Sequence, residues 1–97
     1  MNPIKASNEI FEYRIMVQPT SASKLRASVA NAARGLSIKG KVDVLGDGSL
    51  EIVAQGRKDL VETLLGKIKA MPESQTVNLL STTPISKARE RFLSFQG

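Results

Sequence analysis

Neither histidine nor cysteine occurs among the 97 residues, which removes most of the usual catalytic chemistry before any spacing is considered. Without a thiol there is no cysteine nucleophile, thiolate zinc site or disulfide framework. Without an imidazole the common neutral-pH general base is missing, so a histidine triad or histidine-based metal site is excluded. What remains is cationic and hydroxyl chemistry. Lys and Arg number 14 against 9 Asp and Glu, a net charge of +5 that favours anionic partners without choosing among them. Hydroxyls gather in Thr20–Ser23, where Ser21 or Ser23 is suited to accept a backbone N–H and cap a helix. Asp59 and Glu62 read as solvated charges of a helix face, not as a paired acid and base.

The elements that must position these groups follow from apolar periodicity. Phe11, Tyr13, Ile15 and Val17 alternate with Glu12, Arg14 and Met16, which predicts a strand with one face toward a core. Pro19 stops it. Leu25, Val29, Ala32 and Leu36 then recur at helical spacing, predicting a helix over about Ser23–Arg34 that ends at Gly35. Ile38–Val44 and Ser49–Gln55 alternate as a pair of strands around Leu45-Gly46-Asp47-Gly48, whose glycines supply the positive φ of a hairpin turn. Leu60, Val61, Leu64, Leu65 and Ile68 form the apolar stripe of a second helix, Arg57–Ala70, closed by Met71-Pro72. Thr76–Leu80 is a short fourth strand. The tail, 85–97, fits either a short helix over Ser86–Phe92 or an edge strand over Arg91–Phe95.

This order, strand, helix, strand, strand, helix, strand, has one economical packing. Each helix can bury its stripe only against the sheet, and right-handed crossovers put both on the same face. The expected fold is therefore α+β, a ferredoxin-like βαββαβ sandwich with an antiparallel sheet. One domain over 9–97 is expected behind a loose lead-in, 1–8, with no second domain. No stretch approaches the ~20 apolar residues of a membrane span and Met1–Ile15 has no apolar signal core, so the expectation is a cytoplasmic protein without membrane contact. The sheet face away from the helices would carry Arg14, Met16, Lys39, Lys41, Asp43 and Glu51 with no aromatic among them, which disfavours base stacking on nucleic acid. Self-association through a sheet edge is a further expectation, since such edges pair readily.

Gly40-Lys41-Val42-Asp43-Val44-Leu45-Gly46-Asp47-Gly48-Ser49-Leu50-Glu51-Ile52-Val53-Ala54-Gln55-Gly56 resembles the acylphosphatase segment G-W-V-x-N-x-x-D-G-[ST]-V-E-x-x-x-x-G. Lys58–Leu65 is similar to the helix that follows it in that family, and Tyr13–Gln18 to the family's first strand. The resemblance implies hydrolysis of carboxyl phosphates without a cofactor. A loop after the first strand and an arginine at the first helix cradle the phosphate, and an asparagine in the second strand holds the attacking water. Phosphoryl transfer needs such positioning and charge stabilisation more than covalent help.

Mapped onto this chain, the arginine falls on Arg26, with Lys24 competing as phosphate ligand, and the loop becomes the longer stretch Pro19–Arg26. Thr20, Ser21 and Ser23 are its hydroxyl donors, while Pro19 replaces a glycine and brings no N–H. The asparagine position is Val44, which cannot hydrogen-bond through its side chain. The resemblance thus implies a diverged member that binds phosphate or a small anion at 19–26 with weak or no hydrolysis. The alternative is a non-catalytic protein-interaction or nucleic-acid-binding accessory module.

Overall fold

The computed structural model describes residues 10–85 and 92–97. The elements are β1 (Ile10–Pro19), α1 (Ala22–Gly35), β2 (Lys39–Val44), β3 (Leu50–Arg57), α2 (Lys58–Ala70), β4 (Ser74–Ile85) and β5 (Phe95–Gln96). The sheet runs β4-β1-β3-β2-β5, so the expected four-strand antiparallel order is present and a fifth strand is added beside β2. That strand pairs parallel, Gly40 with Phe95 and Lys41 with Gln96, which makes the sheet mixed where an antiparallel one was expected. β5 overlaps the edge strand expected over Arg91–Phe95 at Phe95. The helix expected over Ser86–Phe92, save Phe92 itself, and the lead-in 1–8 lie outside the described residues.

Register is set by apolar pairing. Tyr13, Ile15 and Val17 oppose Ala54, Ile52 and Leu50 across β1 and β3, and all six are buried. A slip by one residue would turn this whole set to the outer face. Leu25, Val29 and Ala33 of α1 and Val61, Leu64 and Ile68 of α2 complete one core with them, so both helices cover the same face. Phe11, expected in the core, lies at its margin, half-buried beneath Lys58 Nζ at 5.9 Å from the ring centre. Tyr13 carries a polar tip into the core, and its hydroxyl donates to the Glu62 carboxylate. Glu62 is therefore more than the solvated charge expected from its spacing. Burial first, then the hydrogen bond and negative charge of Glu62, push the Tyr13 phenol up to about 12.

One turn and one strand position depend on particular residues. Ser49 donates from its hydroxyl (2.6 Å) and its N–H (3.0 Å) to Asp47 Oδ1, closing the β2–β3 hairpin, and these bonds hold the Asp47 carboxyl below its ordinary value. Gly40 has φ +145, and a Cβ there would stand 1.8 Å from the Val53 carbonyl oxygen, so only glycine lets β2 approach β3 at this point.

β4 is longer than expected, twelve residues against the Thr76–Leu80 segment. Its own apolar alternation is faint because it lies on the edge and little of it is buried. Pairing with β1 recruits it, with register shifts between Arg14 and Ile15 and between Gln18 and Pro19. Pro84 fits because proline is tolerated in an edge strand. Among the described residues no helix is long and apolar enough to cross a membrane.

Candidate functional site

The stretch Pro19–Arg26 does not form an extended loop. β1 runs to Pro19, which pairs with Ser74, and α1 begins at Ala22, so only Thr20 and Ser21 connect them. Pro19 belongs to the strand, and Ala22–Arg26 to the helix. Thr20 is drawn to the start of β4: its N–H donates to the Glu73 carbonyl at 2.8 Å, and its hydroxyl lies 3.5 Å from the same oxygen. Ser21 occupies the N-cap with extended backbone (φ −141, ψ 106), yet its hydroxyl makes no capping bond. The cap expected from Ser21 is thus present in position only. The first-turn amides of α1, which have no intrahelical acceptor, keep no side-chain cap.

Arg26 consequently stands in the second turn of α1, not at its start. Helical side chains lean toward the N-terminus, and residues four apart share a face. Ala22 with Arg26, and Ser23 with Ala27, therefore form one surface. Together with Val44 at the end of β2 and Gly97 they line a cavity of about 540 Å³. Of the residues singled out from sequence, this cavity unites Ser23, Arg26 and Val44; Thr20, Ser21 and Lys24 are not part of its lining. Ser23, Lys24 and Arg26 are all exposed.

Ala22, Ala27 and Gly97 were not identified by sequence reasoning. The alanines were legible as helical neighbours of Ser23 and Arg26, one turn away. Gly97 was not, because β5 brings it here through a long-range pairing with β2. A smaller cavity of about 300 Å³ lies at the other end of α1, where Arg34, Ser37 and Lys39 meet Leu93–Phe95. Its guanidinium is engaged, with Arg34 Nε donating to the Phe95 carbonyl at 3.2 Å.

The acylphosphatase family model matches residues 24–96, three quarters of the chain. The chain belongs to the acylphosphatase family. Acylphosphatase from Bacillus subtilis shares the fold with a TM-score of 0.67 at 23% identity, covering 89% of this chain and 96% of its own. An acylphosphatase from Coxiella burnetii gives 0.62 at 26% identity, covering 88% and 90%. BlrB, a BLUF protein, reaches 0.74 at 18% identity over 93% of this chain and 72% of its own. No curated protein sequence matches. The BlrB likeness illustrates that the architecture alone does not fix an activity. The acylphosphatase match begins at Lys24, so Arg26 and Val44 fall inside it, whereas β1 and the Thr20–Ser21 connection fall outside.

Proposed function

We propose that this acylphosphatase-family chain binds phosphate or a small anion at the start of α1 and hydrolyses acyl phosphates weakly or not at all. The observation that carries this reading is that Arg26 and Val44 line one cavity. In the family register these are the phosphate-binding arginine and the water-holding asparagine, so the two halves of the chemistry still meet in space while one of them has become hydrocarbon. The guanidinium offers a fork matched to phosphate oxygens. Ser23 adds a hydroxyl, and the uncapped first-turn amides add donors with a favourable dipole. Lys24, in the first turn of α1, contributes positive potential, whereas Thr20 is engaged with the Glu73 carbonyl and neither it nor Ser21 lines the cavity. Val44 neither orients a water nor stabilises developing charge, and losing one positioned polar group commonly costs about 10²–10³ in rate.

A titration with inorganic phosphate followed by amide chemical shifts, alongside a benzoyl-phosphate hydrolysis assay, tests this. Shifts centred on residues 20–26 that vanish in Arg26→Ala, with turnover near background, are expected. Brisk hydrolysis by the native chain, or phosphate binding indifferent to Arg26→Ala, would overturn it.

A second reading, a protein-interaction module, is favoured by β4. This edge strand carries no charged residue over Ser74–Ile85 and exposes Leu79 and Leu80 at 44% and 54%. Unpaired backbone along such an edge is a template for another strand. Nucleic-acid binding receives less support. On the outer sheet face Arg14 lies 3.5 Å from Glu12 and 3.6 Å from Glu51, and Lys41 lies 2.9 Å from Asp43. Cations balanced by neighbouring carboxylates attract a phosphate backbone poorly.

A further inference from the structure

β4 is an open edge of the sheet: it pairs with β1 on one side and with no strand on the other among the described residues. Of the four longer strands it alone carries no charged residue. β1 holds Glu12 and Arg14, β2 holds Lys39, Lys41 and Asp43, and β3 holds Glu51 and Arg57. The ladder between β4 and β1 is interrupted near its centre. Ile15 opposes Leu79 and Arg14 opposes Ser81, so Leu80 is an extra residue without a counterpart in β1. That insertion reverses the phase of the strand. Before it, Val77 and Leu79 share the inner face with Val17 and Ile15, while Thr76 and Asn78 share the outer face with Gln18 and Met16. After it, Thr82 lies on the inner face opposite Tyr13, and Ser81 and Thr83 lie on the outer face opposite Arg14 and Glu12.

Resting on the reading of β4 as an interaction edge, we infer that the strand it receives is β4 of a second copy of this chain, antiparallel about a two-fold axis between Leu79 and Leu80. This point is also the middle of the strand, with Ser74–Asn78 on one side and Ser81–Ile85 on the other. The axis opposes Leu79 to the partner's Leu80, Asn78 to the partner's Ser81, Val77 to the partner's Thr82 and Thr76 to the partner's Thr83. Outside the central leucines, each pair sets inner face against inner face or outer against outer. In an unbroken strand the same axis would set inner against outer, because residues an odd number apart lie on opposite faces. The extra Leu80 removes that conflict. Leu79 and Leu80, 44% and 54% exposed, meet at the centre and leave water together. Hydroxyl and amide side chains on either side of them can hydrogen-bond across the pair. Pro84, which has no N–H to give, falls just outside the span Thr76–Thr83. Neutrality selects the occupant. An isologous contact sets a patch against its own copy, where charges near the axis would meet their own sign.

The chain has no cysteine, so introduced thiols report this register without background. Thr76 and Thr83 are exposed and stand about 20 Å apart along one strand, beyond the ~7 Å that a disulfide can span within a chain. In the double variant Thr76→Cys with Thr83→Cys, the proposed axis brings two pairs of thiols face to face. Mild oxidation of the full chain at millimolar concentration, read on a non-reducing gel, should form covalent dimer roughly tenfold faster than either single variant does. High concentration is needed because a single strand pair is a small and weak interface. Circular dichroism melting checks that all three variants fold, and sedimentation of the native chain accompanies the series. Association in sedimentation without the faster cross-link would overturn this register and leave the interaction edge standing. A native chain that stays monomeric, with the double variant no faster than the single ones, would remove both.

Discussion

Arg26, in the second turn of α1, and Val44, the last residue of β2, line the same cavity. One supplies a fixed positive charge and the other an apolar surface, where acylphosphatase chemistry calls for charge and a hydrogen-bonding amide. Restoring the amide by Val44→Asn should therefore raise benzoyl-phosphate turnover above that of the native chain, by up to about 10²-fold. The gain should disappear in the double variant with Arg26→Ala. A Val44→Asn rate no higher than the native one would mean that Arg26, a turn into the helix, cannot present phosphate to position 44.

Tyr13 gives the protein an alkaline limit. Its phenol titrates near 12 when folded and near 10 when unfolded, so the neutral form is the one the fold favours. Stability from this group is fully present below pH 10 and is lost as pH rises from 10 to 12, on the order of 2 kcal/mol over that window. Tyr13→Phe should cost about 1 kcal/mol at neutral pH through the lost bond to Glu62 and should flatten the alkaline decline. Denaturant midpoints of both forms at pH 8 and pH 11 provide the check; parallel declines would show that Tyr13 is not the responsible group. As the only tyrosine in a chain without tryptophan, its ionisation is also directly readable by absorbance.

Gly40→Ala is expected to destabilise by about 3 kcal/mol or more, because the new methyl meets the Val53 carbonyl and the backbone sits at positive φ. Urea unfolding measures it. An unshifted midpoint would show that β2 can withdraw from β3 at no cost, and that β5, which pairs at the same residue, moves with it.

If β4 is an interaction edge, sedimentation of the native chain should reveal concentration-dependent association, and Leu80→Lys should abolish it while leaving the thermal midpoint within about 0.5 kcal/mol of native stability. A chain that stays monomeric at millimolar concentration would remove the edge-pairing reading.

Much of the architecture was legible because apolar spacing is a local signal. The alternation around Tyr13 and the stripe of Leu60–Ile68 fixed which faces turn inward, and Gly48 marked the hairpin. Misjudged features share one origin, which is that neighbours distant in sequence decide them. β4 is lengthened by the backbone of β1, not by its own side chains. An edge strand reaching Phe95 was legible as one of two alternatives, but its parallel pairing with β2 was not. Glu62 is exposed as expected, but nothing near it in sequence reveals that it accepts a hydrogen bond from Tyr13. The candidate site was split in the same way: the family register singled out Arg26 and Val44, which line one cavity, whereas the helical state of Ser23–Arg26 and the separation of Thr20 toward Glu73 were not legible.

From composition and spacing alone came the absence of thiol and imidazole groups and the order of elements, while the family resemblance pointed to the valine at the asparagine position. These depend on residue identity and on short-range periodicity, which the chain carries without folding. Tertiary structure alone decided that the residues between Pro19 and Arg26 join a strand and a helix, and that Val44 is left exposed and lines one cavity with Arg26. It did so because packing of the two helices on one sheet face ends at a particular place, and the cavity opens where that cover stops.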